Sequence, residues 1–260
     1  MPMTTPSRSP IAPPSRALYL LELGRAPWEL GAALAAWPLL RAAPRGDGHP
    51  VLVLPGLIAT DFSTRLLRRY LAGRGHDVHG WGLGRNMGPR SGVIESLLDR
   101  VDELHGRDGR KVSLVGWSLG GVYARLLANR RPDRVRCVVT LGSPLTGTPE
   151  GTNAHRTYRW ASGETAPDPR TAQDVRRLPA VPCTSIYSRS DGIVSWRTSV
   201  QPEGPTAENI EVVASHIGLG AHPAVLYAVA DRLAQPEGAW KPFDRGSSWR
   251  SLVYLNPSRG

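Results

Sequence analysis

Residues 112–121 read VSLVGWSLGG. An apolar run, Val112–Val115, enters a glycine, and a helical pattern beginning at Leu119 follows Ser118 directly. A strand that turns into a helix at one residue forces that residue into a strained backbone. Glycines two positions to either side, Gly116 and Gly120, remove side chains that would strike the neighbouring strand and helix. The turn lifts the serine hydroxyl above the rim of a sheet and sets the N-terminus of a helix behind it. There the helix dipole favours developing negative charge.

The surrounding chain supplies the sheet. Short apolar runs at Val51–Leu54, Asp77–Trp81, Lys111–Val115, Val135–Leu141, Val181–Tyr187 and Asn209–Val213 read as strands. Helical patterns at Ser63–Ala72, Val93–Leu104, Leu119–Asn129 and Pro223–Leu233 fall between or after them, with a shorter one near 171–178. Strands apolar on both faces and alternating with helices predict an α/β fold with a mostly parallel sheet covered on both sides. In such sheets ligands bind beyond the carboxyl ends of the strands.

Around this core the expected organisation is a disordered tail over 1–16, a helical segment over 17–45 and the main domain over 46–240. An insertion at about 145–178 would serve as a short lid, and 241–260 as a C-terminal tail. Pro27 suits the start of a second N-terminal helix, with Leu30, Leu34 and Trp37 on one face. Residues 17–43 could cover the sheet, mediate a dimer or rest on a membrane surface; packing is the preferred reading, and the oligomeric state stays open.

At the motif Gly116-Trp117-Ser118-Leu119-Gly120 the chain resembles the alpha/beta-hydrolase superfamily, and within it the bacterial lipase and esterase branch. The resemblance covers about residues 50–234. It implies Ser118 as nucleophile and the Leu119 N–H as one oxyanion donor. The second would be the Leu57 N–H in the loop Pro55-Gly56-Leu57-Ile58, where many lipases have His-Gly in place of Pro55-Gly56. The family order of serine, then acid, then histidine points to Asp191, which follows a strand after a short turn. Asp174, Asp231, Glu203, Glu208 and Glu211 lack that placement. His216 follows the next strand by three residues and is preferred as base over His222, at the mouth of the last helix. His49, His76, His79, His105 and His155 precede Asp191 and break the order. Trp81, Leu83, Met87, Trp117, Leu145 and Ile193 are expected to form an apolar wall for an acyl chain.

The implied chemistry is hydrolysis of a small-molecule or lipid acyl ester through an acyl-enzyme on Ser118, with no metal or organic cofactor. An acyltransferase or amidase would use the same triad, and a non-enzymatic binding protein could keep the same fold. A serine at the nucleophile position disfavours the Asp-nucleophile dehalogenases and epoxide hydrolases.

Composition narrows the partners. The 260 residues carry a formal net charge of +10, and all basic residues but Lys111 and Lys241 are arginines. These arginines are scattered among acids rather than gathered in a patch with aromatics, which argues against a nucleic-acid partner. Cys137 and Cys183 lie in apolar runs and read as buried free thiols. Glu22, Arg25, Pro27 and Glu29 interrupt the apolar segment 17–40, so no membrane span is expected. The N-terminus lacks the pattern of a secretory signal, which leads to a cytoplasmic or membrane-peripheral expectation.

Overall fold

The computed structural model describes residues 11–146, 151–163, 169–246 and 249–255. In chain order its elements are α1 (Arg16–Ala35), α2 (Trp37–Arg41), β1 (Pro50–Leu54), α3 (Arg65–Gly73), β2 (Asp77–Gly80), α4 (Val93–Asp108), β3 (Val112–Trp117) and α5 (Leu119–Arg130). There follow β4 (Val135–Leu141), α6 (His155–Ser162), α7 (Pro169–Arg176), β5 (Cys183–Tyr187), α8 (Trp196–Ser199), β6 (Ala207–Glu211), α9 (Pro223–Leu233) and α10 (Arg250–Val253).

The strands form one parallel sheet in the order β2-β1-β3-β4-β5-β6. The chain lays down β1, steps outward to β2, then returns to place β3 on the other side of β1. That reversal makes the β1/β3 boundary the topological switch point, where parallel sheets open a crevice at their carboxyl edge. The β1 and β3 strands end in register there, with Leu54 opposite Gly116.

Side-chain alternation divides the core into two layers. Val51, Val53, Val115, Ile186 and Ile210 pack with α3 and α9 on one face. Leu52, Leu54, Leu114 and Val138 pack with α4 and α5 on the other. For this reason β1 (PVLVL) reads as an unbroken apolar run, whereas β6 (AENIE) buries polar side chains that are hydrogen-bonded.

Three segments depart from the sequence expectations. First, α1 runs unbroken through Pro27, and the second helix starts at Trp37. An interior proline costs a helix about 3 kcal/mol. Here Glu22 and Arg25 before the proline and Glu29 after it are anchored to the same two loops, which holds the helix together across it. Second, residues 11–15 of the expected tail lie against the body: Pro14 O accepts a hydrogen bond from Asn153 Nδ2, and Ser15 caps α1. Residues 1–10 lie outside the described set. Third, the C-terminal segment contributes to the core. Phe243 and Tyr254 stack edge to face and are both buried, and the Tyr254 hydroxyl donates to Ala224 O.

Within the expected lid, α6 was not foreseen. Its Ala161 carbonyl accepts two hydrogen bonds from Arg90, which fixes it against the turn after β2. Residues 147–150 and 164–168 of that insertion lie outside the described set.

Candidate active site

Strand β3 ends at Trp117 and α5 begins at Leu119, so Ser118 alone makes the turn. Its φ is 55° and its ψ −121°, a left-handed backbone that side chains other than glycine's rarely adopt. Such a residue costs on the order of 1–3 kcal/mol and persists only where its surroundings fix it. Two hydrogen bonds do so: Ser118 N–H donates to Leu141 O (2.8 Å), and Gly121 N–H donates to Ser118 O (3.0 Å). Packing does the rest. A Cβ on Gly116 would lie 2.3 Å from Gly120 O, and one on Gly120 would lie 2.2 Å from Leu54 O. The two glycines of the motif are therefore required by the contact of β3, α5 and β1.

Asp191, beyond the end of β5, is buried. Its Oδ1 accepts the N–H groups of Ile193 (2.8 Å) and Val194 (2.7 Å), and its Oδ2 lies 2.6 Å from His216 Nδ1. His216 follows β6 and is also buried. Trp117 Nε1–H donates to His216 O (3.1 Å), tying the imidazole's loop to the serine's turn. The end of β4 lies between these parts. A Cβ on Gly142 would be 3.0 Å from Asp191 Oδ2 and 3.2 Å from His216 Nδ1, and the preceding Leu141 carbonyl is the one that holds Ser118 N–H. Ser118, Asp191 and His216 thus gather around the tips of β3 to β6. Among the described residues no hydrogen bond joins Ser118 Oγ to the imidazole; such contacts often tighten only with substrate bound.

Burial pulls the His216 imidazole toward neutrality. The Asp191 charge, its hydrogen bond and the Glu22 charge more than offset this, and the net shift is upward from 6.5. His222 has a different task. Its Nδ1 accepts Ala224 N–H (3.3 Å), so it caps α9.

The loop after β1 lies against Ser118: a Cβ on Gly56 would be 3.3 Å from Ser118 Cβ and 3.9 Å from its Oγ. Among the described residues, neither the Leu57 N–H nor the Leu119 N–H donates a hydrogen bond. Leu119 opens α5, where main-chain N–H groups have no helical partner. The loop is held by a residue that sequence reasoning passed over. Asn86 is fully buried, and its Nδ2 donates to Pro55 O (2.9 Å). Its main chain pairs both ways, accepting from Ile58 N–H (2.7 Å) and donating to Ala59 O (2.8 Å). These bonds hold Ile58 at φ 55°, a second strained position in the same loop. An asparagine in a glycine-rich turn carries no sequence signal for this role.

The expected apolar wall is only partly present. Trp81 and Leu145 are core residues, 2% and 1% exposed. Trp81 is turned inward by its Nε1–H bond to Gly84 O (2.9 Å). Leu83 is exposed, and Met87 and Ile193 are half-buried. Trp117 is the one member that lines the large apolar groove, of about 1140 Å³, beside the site. Its other walls come from α1 (Leu30, Leu34), α3 (Leu66) and the loops carrying Phe62 and Ile217. Among the described residues no cluster of three His, Cys, Asp or Glu side chains could hold a metal ion. Nor is any described helix long and apolar enough to cross a membrane.

A family model described as alpha/beta hydrolase fold matches residues 50–175. The chain is 30% identical over 124 residues to the serine hydrolase BPHL of Mus musculus, an alignment covering 44% of this chain and 43% of that protein. It therefore spans less than half the length of the curated relatives it matches. Among solved structures, Aspergillus fumigatus lipase B superposes with a TM-score of 0.58 at 16% identity, covering 82% of this chain and 60% of that one. A monoacylglycerol lipase from Paleococcus ferrophilus gives a TM-score of 0.50 at 17% identity, covering 72% and 96%. At such identities the likeness is one of fold.

Proposed function

This chain is an alpha/beta-hydrolase-fold protein, and on that premise we propose that it is a serine hydrolase of carboxylic esters. His216 Nε2 takes the proton of Ser118 as Oγ attacks the ester carbonyl. The Leu57 and Leu119 N–H groups receive the oxyanion. Collapse of the tetrahedral adduct expels the alcohol, which takes its proton from His216. Water, deprotonated by the same imidazole, then frees the carboxylic acid and restores Ser118. Asp191 holds the imidazole in the tautomer that presents a bare Nε2 and stabilises its cation.

One arrangement carries this reading: a serine strained at positive φ on a strand-to-helix turn, with a buried Asp–His pair at the tips of the same sheet. The apolar groove bordered by Trp117 and Ile217 supports an ester with a sizeable apolar part. The relatives and neighbours named as serine hydrolase and lipase point the same way.

The test is turnover of a chain-length series of p-nitrophenyl esters by wild type, Ser118→Ala, His216→Ala and His222→Ala. The first two variants should lose turnover and the third should keep it. Activity surviving in Ser118→Ala, or lost in His222→Ala alone, overturns the assignment. Stoichiometric labelling of wild type by a fluorophosphonate, absent in Ser118→Ala, separates an enzyme from a binding protein of the same fold.

A further inference from the structure

Helix α1 packs with its charged side inward. Glu22, Arg25 and Glu29 face the protein, while Leu20, Leu23 and Leu34 are exposed. Glu22 is 2% exposed, and its carboxylate spans the two loops that carry the acid and the base. Its Oε1 accepts Gly192 N–H (2.6 Å) and His216 N–H (3.0 Å); its Oε2 accepts Ile217 N–H (3.0 Å). Gly192 directly follows Asp191, so one side chain fastens the residue beside the acid to the backbone of the base itself. The approach is as close as the chain permits: a Cβ on Gly192 would lie 2.4 Å from Leu18 O of α1.

The neighbouring charges reinforce the grip. Arg25 donates to Ser190 O (2.8 Å) and Ser190 Oγ (3.0 Å), and Glu29 accepts Ser215 N–H (2.6 Å) and the Ser215 hydroxyl. Asp191 on its own loop, Glu22 from α1 and, farther off, Arg25, Glu29 and His222 at the mouth of α9 are the titratable and charged groups around His216.

We propose that Glu22 is a positioning residue for the triad, fixing the Asp191 loop against the His216 loop and setting a second negative charge behind the imidazole. The inference rests on the esterase reading above. Its physical basis is that a displacement of about 1 Å in a reacting group costs about 100-fold in rate. Among the described residues the loops after β5 and β6 share no strand pairing; apart from the Asp191–His216 contact they are joined directly through Ser188 and Ser190, whose hydroxyls bond Ala214 N–H and O nearer the strand ends (both 3.2 Å). The Glu22 carboxylate ties their tips with two acceptor atoms, and its charge favours the imidazolium formed when Ser118 attacks.

The experiment compares wild type with Glu22→Gln in ester hydrolysis across pH 5–9, alongside thermal unfolding. An amide can accept from Gly192 and His216, but its NH₂ then faces the Ile217 N–H. Turnover should fall about 10- to 100-fold with little change in KM, and the acid limb of kcat/KM should move to lower pH. Wild-type kcat with an unmoved acid limb overturns the proposal, whatever happens to the melting temperature. Should the variant not fold, hydrogen exchange in wild type still decides. The Gly192, His216 and Ile217 amides should exchange slowly for loop residues, and free-loop rates for them refute the clamp. A wild type that neither hydrolyses esters nor takes up a fluorophosphonate would sink the esterase reading instead, while the exchange result judges the clamp on its own.

Discussion

Asp191→Asn changes one atom of the proposed triad, and the hydrogen bonds around that side chain dictate what the change does. Asp191 Oδ1 accepts two main-chain N–H groups, from Ile193 at 2.8 Å and Val194 at 2.7 Å. An amide NH₂ cannot occupy that place, because it would face two donors. The amide oxygen must take it, and the NH₂ is then aimed at His216 Nδ1, where Oδ2 now sits at 2.6 Å. A donor in that position pairs only with a bare Nδ1. The ring proton moves to Nε2, the atom that must accept the proton of Ser118, and the base is lost. In triads of this kind the wrong tautomer costs about 10⁴ in kcat, or about 5–6 kcal/mol of transition-state stabilisation. Steady-state hydrolysis of p-nitrophenyl butyrate measures it, with circular dichroism to show that the fold is kept. A folded Asp191→Asn protein retaining more than about a tenth of wild-type kcat refutes the tautomer argument. The pH profile adds a second reading. In the proposed mechanism His216 acts as a neutral base, and although burial pulls its pKa down, Asp191 and Glu22 raise it on balance from the ordinary 6.5. The acid limb of wild-type kcat/KM should therefore fall on the alkaline side of 6.5, and in the variant's residual activity it should move down.

Gly120→Ala drives a Cβ to 2.2 Å from Leu54 O, so α5 must move away from β1 and carry the Leu119 N–H from the Leu57 N–H. Turnover should drop at least about 100-fold, the loss expected for one oxyanion donor, and a folded variant with near-normal kcat would remove these two amides from the mechanism. Asn86→Ala cuts the bond to Pro55 O and strands a buried carbonyl; it should lower stability by about 1–3 kcal/mol and lower kcat more than it raises KM. Unchanged kinetics in a folded Asn86→Ala protein would show that the loop needs no such tether. Far from the site, His76 is buried with both ring nitrogens unpaired among the described residues, and burial lowers its pKa from 6.5 to about 4. The unfolded chain binds that proton first as the pH falls, so this contribution is complete above 6.5 and is lost on descending toward 4. The loss amounts to about 3 kcal/mol; urea unfolding of wild type and His76→Phe at pH 7 and pH 4 should show the variant losing less, and equal losses would reject the assignment.

The strand-to-helix turn at Ser118 was legible because its constraints are local. Two glycines that admit no Cβ, a serine between them and apolar runs on each side are all written within ten residues. That Asp191 and His216 each follow a strand was also legible, from the runs Val181–Tyr187 and Asn209–Val213, although β6 itself reads AENIE and buries Glu208, Asn209 and Glu211. The pocket was not legible. Trp81 and Leu145 were expected to face a substrate because they are apolar and lie in segments that follow strands. Whether such a residue lines a cavity or fills the core is decided by how neighbouring elements pack. The Trp81 indole turns inward to Gly84 O, and that bond depends on a turn whose shape the amino-acid string does not spell out.

The inward face of helix α1 was not legible for a deeper reason. Hydrophobic periodicity identifies an inward face on the premise that apolar surface is what a helix must hide. The loops after β5 and β6 present a different demand: Asp191, Ser188 and Ser215 accept several of their main-chain N–H groups, and those of Gly192, Ser215, His216 and Ile217 find their acceptors on α1. An unpaired buried donor costs about 1–3 kcal/mol, and Glu22 and Glu29 between them satisfy four main-chain donors, at Gly192, Ser215, His216 and Ile217. The balance favours turning the carboxylates inward and leaving leucines in contact with water. The same carboxylates, read from sequence as interruptions in an apolar segment, are what attaches that segment to the candidate site.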